Sequence, residues 1–101
     1  MIAMKFSEVL EALRNGERLV NGSLSAKGGY IVRQIPQVVP QEVVPKMTSL
    51  PDSAKEVAKY GPIEYRDQVL LVYWDNELGR SVATSYIPTW HDIFREDWTI
   101  A

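Results

Sequence analysis

The stretch from Ile63 to Trp74 constrains the fold more than any other part of the chain. Ile63, Tyr65, Val69, Leu71 and Tyr73 fall on one side of an extended backbone, and Leu70, Val72 and Trp74 fall on the other. Successive side chains of a strand point to opposite faces of a sheet, and β-branched and aromatic residues fit that half-buried surface. Both faces are apolar towards the end of the run, which predicts a central strand. Asp75-Asn-Glu-Leu-Gly-Arg supplies turn residues and Ser81 to Ile87 returns as a strand, so the two read as a β-hairpin.

The rest of the chain arranges itself around that hairpin. Phe6, Val9, Leu10 and Leu13 recur at helical spacing, with Ser7 as N-cap, Glu8 and Glu11 early, Arg14 late, and Asn15-Gly16 as a left-handed stop. Arg18-Leu-Val-Asn-Gly and Gly29-Tyr-Ile-Val-Arg-Gln read as short strands around Ser23-Leu-Ser-Ala-Lys-Gly-Gly, whose small residues suit a turn. Pro36, Pro40 and Pro45 make residues 35–47 an extended arm or edge segment. That segment is either an ordinary surface loop or one whose paired valines dock on a neighbouring subunit. Ser49-Leu-Pro-Asp resembles a capping box and predicts a second, shorter helix with Ala54, Val57 and Ala58 on one face, stopped at Gly61-Pro62. Thr89-Trp-His-Asp is another capping box, opening a helical turn through Ile93-Phe94, and Glu96-Asp-Trp-Thr-Ile closes as a terminal strand. The expected fold is α+β: a small antiparallel sheet with an N-terminal helix, a second short helix, and a helical turn before the last strand.

Composition narrows what such a fold can do. At 101 residues, 46% hydrophobic and 24% charged, the chain is expected to form a single domain, 1–101, with a thin core that self-association would reinforce. It has no cysteine, and His91 is its only histidine, so a disulfide framework, a thiol nucleophile and a cysteine- or histidine-based metal cluster are all excluded. Residues 1–50 carry six Lys/Arg against four Asp/Glu, and residues 51–101 five against nine. Duplex nucleic acid calls for a strong basic stripe, and neither half has one. No apolar run approaches the roughly 18 residues of a membrane span, and no signal-peptide core follows the first residues. The protein is therefore expected in the cytoplasm.

An enzyme needs a nucleophile and base, paired carboxylates, a metal cluster or a cofactor cradle, and no convincing example of these is found. His91 and Asp92 are sequence neighbours whose side chains diverge on a helix. Asp92, Glu96 and Asp97 read as helix capping and solvated surface. Gly22 to Gly29 has the content of a phosphate loop without the spacing of one. What remains is a set of aromatics, Tyr30, Tyr65, Tyr73, Trp74, Tyr86, Trp90 and Trp98, expected to be mostly core, with Trp98 as an anchor. Any ring left exposed could stack on a nucleobase. This reads as a binding protein that needs no cofactor.

Five blocks together resemble a known family: Met4-Lys-Phe-Ser-Glu-Val-Leu-Glu-Ala-Leu, Lys27-Gly-Gly-Tyr-Ile, Thr48-Ser-Leu-Pro, Ile63-Glu-Tyr-Arg-Asp-Gln-Val-Leu-Leu-Val, and Tyr86-Ile-Pro-Thr-Trp-His-Asp-Ile-Phe-Arg-Glu-Asp-Trp. The last is the most specific. The family is the second Thoeris anti-defence family, short phage and prophage proteins formerly grouped as a domain of unknown function. The resemblance runs from Met4, which suggests Met4 as a native start. It implies a homo-oligomer, tetramer or dimer, that sequesters a nucleotide immune signal in the host bacterium, either glycocyclic ADP-ribose or a cyclic dinucleotide. Removing the free signal silences the effector without catalysis.

Many relatives have Gly-Trp-Asn-Gly where this chain has Ser23-Leu-Ser-Ala, so a family tryptophan becomes Leu24, and a second one corresponds to Tyr86. Loss of a stacking ring costs about 1–3 kcal/mol per base, enough to change the preferred ligand. By position, the resemblance assigns Leu24, Ser25 and Lys27, with Tyr86, Thr89 and Asp92, as pocket-lining residues, in a pocket expected to use two subunits. Thr89 and Asp92 alternatively serve only to cap a helix. A different class of function, a phage module that docks a host protein through the proline arm or the aromatic surface, is the alternative.

Overall fold

Phe6, Val9, Leu10 and Leu13 do form one stripe of a helix, α1 (Phe6–Arg14), in the computed structural model, which describes residues Ala3–Ala101. The helix begins earlier than a Ser7 cap would allow. Lys5 is the N-cap, because the Glu8 carboxylate reaches back to accept the Lys5 N–H at 3.0 Å. Asn15 and Gly16 end it as expected, Gly16 at φ 84°, a conformation that costs an L-residue with a Cβ and that glycine adopts freely.

The chain is arranged in two compact units. One takes the residues up to Gln34 together with Gln68–Ala101, and the other is Ile35–Asp67. In the first, β1 (Leu19–Val20), β2 (Tyr30–Gln34), β5 (Gln68–Asp75), β6 (Arg80–Ser85) and β7 (Thr99–Ile100) form an antiparallel sheet in the order β6-β5-β2-β1-β7. As the apolar run predicts, β5 is an inner strand. The register sets Leu19 opposite Ile31, and Ile31 opposite Leu71, so these three side chains share one face. Val9 and Leu13 of α1 pack on that face with Trp98. The β5–β6 hairpin is closed by Asp75, whose Oδ1 accepts the N–H groups of Glu77 and Leu78 at 2.9 and 3.1 Å.

The second unit pairs β3 (Gln37–Val39) with β4 (Ile63–Tyr65), placing Val38 opposite Glu64. Between them lie two 3-10 helices, Val44–Lys46 and Asp52–Lys59, and Val44 is fully buried. Gln41 Nε2 donates to the carbonyl of Ala58, tying the turn before the first 3-10 helix to the second helix.

Several expectations change. The single strand expected from Ile63 to Trp74 is two strands, because β4 ends at Tyr65 and β5 starts at Gln68, leaving Arg66 and Asp67 outside either ladder. Residues 35–47 are strand only over Gln37–Val39 and turn into the first 3-10 helix. The second helix is 3-10, with Pro51 at its N-cap and no side-chain cap from Ser49. The small-residue turn at Ser23 is a short helix, α2 (Gly22–Ala26), because the buried Asn21 accepts the Leu24 N–H at 2.9 Å. The aromatics are not mostly core either. Trp98 is fully buried, but Trp74 is 55% exposed and Trp90 73%, while Tyr30, Tyr65, Tyr73 and Tyr86 are half-buried.

Trp98 is the largest buried side chain. Its ring meets Phe6 edge-on at 5.8 Å between centroids, its backbone carbonyl accepts the Met4 N–H at 2.7 Å, and its Nε1 donates to the Asp92 carbonyl at 3.0 Å. Replacing Trp98 by alanine is expected to cost about 3–5 kcal/mol of unfolding free energy, read as a fall in the urea midpoint. Trp98→Phe, which keeps ring burial and loses the Nε1 bond, is expected to cost clearly less.

Candidate functional site

The segment after β6 is held by backbone first. The Tyr86 N–H donates to the Val69 carbonyl at 2.8 Å, which continues the β5–β6 pairing by one residue and turns the Tyr86 ring towards the core cluster. Pro88 follows, and Thr89 then caps α3 (Trp90–Phe94). Thr89 Oγ1 accepts the Asp92 N–H at 3.1 Å, and Asp92 Oδ2 accepts the Thr89 N–H at 3.0 Å. The capping reading of Thr89 and Asp92 is therefore what the geometry shows.

The cap leaves Asp92 beside Tyr86. The Tyr86 hydroxyl is buried beside the Asp92 carboxylate. Burial, and after it the adjacent Asp92 carboxylate, push the phenol well above its usual range, and the charge of Arg95 opposes them. Asp92 is displaced the other way. Burial raises its carboxyl, but the Thr89 N–H, the Tyr86 hydroxyl, the Thr89 side chain and Arg95 together outweigh it and leave it below the ordinary carboxylate value. Tyr86 stays a neutral hydroxyl and Asp92 an anion near neutral pH.

A second polar cluster adjoins the first. Arg95 grips Asp97 through two bonds, Nε to Oδ1 at 2.8 Å and Nη2 to Oδ2 at 2.7 Å. Asp97 Oδ2 also accepts the Gly22 N–H at 2.9 Å, at the start of α2. The Arg95 guanidinium first, and the Gly22 N–H second, hold the Asp97 carboxyl far below the carboxylate range. A Cβ on Gly22 would lie 3.0 Å from Asp97 Oδ2 and 3.3 Å from Arg95 Nη2. Glycine therefore lets the α2 backbone approach this ion pair closely.

The structure brings Tyr86, Thr89 and Asp92 together. It sets Leu24 against the same core cluster that Tyr86 touches, as packing rather than as an open platform. Ser25 and Lys27 stand exposed on α2 and at its C-cap. Sequence reasoning missed Arg95 and Gly22, and it read Asp97 as a solvated surface acid. The available signal was the Arg95-Glu-Asp97 spacing, in which residues two apart on an extended chain point the same way. Among the described residues no group of acids and histidine is arranged to hold a metal ion, and no helix is long and apolar enough to cross a membrane.

Residues 4–101 match the family described as Tad2-like, the Thoeris anti-defense 2-like domain. The chain belongs to that family, as its sequence blocks suggested. No curated protein matches it.

The Arg95–Asp97 pair fixes a pH dependence. A carboxyl depressed in the folded state contributes stability above its unfolded value, and that contribution is lost as pH falls through the folded value. From about pH 4 downwards, the wild type is expected to lose stability more steeply than Asp97→Asn. The check is the urea midpoint of both proteins measured between neutral and acid pH.

Proposed function

We propose that this member of the Thoeris anti-defense 2-like family binds and holds a nucleotide immune signal, glycocyclic ADP-ribose or a cyclic dinucleotide, without cleaving it. The observation that carries the reading is the family match over residues 4–101, together with the grouping of Tyr86, Thr89 and Asp92 at the start of α3. The groups that would otherwise do chemistry nearby are already committed, Asp92 to Thr89, and Asp97 to Arg95 and Gly22. Sequestration needs no more than a preformed site.

In this reading Tyr86, Thr89 and Asp92 line the pocket from one side, and Leu24, Ser25 and Lys27 contribute from α2. The protein acts as a phage or prophage product in the bacterial cytoplasm. It assembles as a dimer or tetramer, a state supported by the apolar surface that one copy leaves open, where Ile87 is 83% exposed and Phe94 74%. A second reading, docking of a host protein, is favoured by Ile35 and Val38, which stand exposed at the start of the proline-containing segment.

The purified protein, co-expressed with a TIR-domain synthase, is expected to release an intact nucleotide on heating, detected by mass spectrometry, and to show a native mass of two or four chains. A cleaved product would point to an enzyme. An empty protein carrying a host polypeptide that is lost on deleting residues 36–45 would point to the second reading.

A further inference from the structure

Among the described residues, every sheet edge but one is blunted. β7 is two residues long, β3 lies between Pro36 and Pro40, and β4 follows Pro62 and carries Glu64 at its centre. Shortness, proline and charge are the usual protections of an edge, whose unpaired N–H and C=O groups otherwise template another strand. β6 has none of them. It ends the five-stranded sheet and pairs with β5 one residue for one, from Asp75 opposite Arg80 to Leu70 opposite Ser85. It holds no proline, and no charge from Ser81 to Ser85, and all its residues but Val82 are exposed.

That edge is complementary to itself. In an antiparallel ladder, alternate residues bond to alternate sides. The Tyr86 N–H goes to the Val69 carbonyl at 2.8 Å, so residues 80, 82, 84 and 86 face β5, and the N–H and C=O groups of Ser81, Ala83 and Ser85 face outwards. The run Ser81-Val-Ala-Thr-Ser reads nearly the same in both directions, Val82 and Thr84 having the same branched shape. A second copy laid antiparallel about a two-fold axis at Ala83 sets Ser81 against the partner's Ser85 and Ala83 against the partner's Ala83, and each facing pair exchanges two backbone bonds. The palindrome singles out a second copy as the occupant, since no other strand requires that symmetry.

The charges at the ends of the ladder agree. The same register sets Tyr86 opposite the partner's Arg80, on the face of the sheet that carries Ile31 and Leu71. Arg80 is exposed and, among the described residues, pairs with no acid. Tyr86 lies against the Asp92 carboxylate, an anion. A cation therefore approaches an anion at each end, while the two arginines stay about 20 Å apart along the ladder.

We propose that β6 is the interface between two copies of this chain, a β6–β6 ladder about a two-fold axis at Ala83 that joins two five-stranded sheets and delivers the partner's Arg80 to the site of Tyr86, Thr89 and Asp92. The ladder stands on its own geometry. The role of Arg80 rests on the nucleotide-binding reading, in which it offers the phosphates a cation that Tyr86, Thr89 and Asp92 lack, Arg95 being committed to Asp97.

Ala83 stands on the axis, so a substitution there meets itself. Ala83→Lys and Ala83→Glu each set like charges side by side, and each is expected to halve the native mass of the full chain, read by sedimentation equilibrium. Mixing the two variants restores the mass, because lysine then faces glutamate. Ala83→Pro removes an outward N–H that β5 does not use and halves the mass too. If either charged variant fails to fold by circular dichroism, Ala83→Pro decides. Wild type that runs as a single chain, folded variants that keep the wild-type mass, or folded charged variants that do not reassociate on mixing overturn the ladder. Arg80→Gln is expected to keep the mass and, after co-expression with the TIR-domain synthase, to lose bound nucleotide about tenfold faster in dialysis. Equal rates of loss overturn the place of Arg80 in the site. The two readings fail separately. If wild type retains intact nucleotide and Ala83→Glu keeps its mass, the ladder is wrong and sequestration stands. If wild type retains none while the charged variants dissociate and reassociate on mixing, sequestration is wrong and the ladder stands.

Discussion

The buried indole of Trp98 is the constraint that ties the candidate site to the core. Its backbone holds the segment before α1, its ring packs on Phe6, and its Nε1 bonds to the carbonyl of Asp92 at 3.0 Å. One side chain thus fixes three pieces of chain that are distant in sequence: the entry to α1, the turn carrying Thr89 and Asp92, and the last strand. Trp is suited to this because it combines the largest apolar surface of any side chain with one directional donor. A leucine of similar burial would fill space without orienting α3.

From that anchor the polar groups fall into place by short-range bonds. The capping box sets Asp92 beside Tyr86, and Arg95 and Asp97, flanking Glu96 just before Trp98, reach the first residue of α2 through Gly22. The two segments singled out from the family pattern, around Leu24 and around Tyr86, are therefore linked by the Gly22–Asp97 hydrogen bond as well as by the shared core. A site held this way is largely organised before any ligand arrives, which reduces the ordering cost of binding. That suits a protein of an anti-defense family, whose task under the proposed reading is to hold a signal tightly.

Periodic elements were legible from sequence and isolated side-chain bonds were not. The stripe of Phe6, Val9, Leu10 and Leu13 marks α1, yet its start depends on Glu8 reaching back to Lys5, an alternative cap that Ser7 obscures. The hairpin and the inner position of β5 follow from alternation, but nothing in the periodicity of Ile63 to Trp74 marks the break at Arg66 and Asp67. α2 was missed because its Gly, Ser and Ala content reads as a turn, and its cause is one buried Asn21 whose type did advertise an N-cap. The aromatics were misjudged because composition says how many rings a chain has, and only the packing says how many the core of a small domain can cover. In the site, Thr89 and Asp92 were readable as a capping box. The Arg95–Asp97–Gly22 contact joins residues 75 apart in the chain, beyond the reach of local pattern.

Holding a signal and destroying it differ in stoichiometry and in time, and that difference gives the most direct measurement. A fixed amount of signal is incubated with increasing amounts of the protein, and the activity of the signal-dependent effector is read at early and late times. Sequestration predicts that activity falls linearly to a sharp end point at a fixed ratio of sites to signal, identical at both times. Quenching of the whole signal by a small fraction of that amount, advancing with incubation, would contradict it and identify an enzyme.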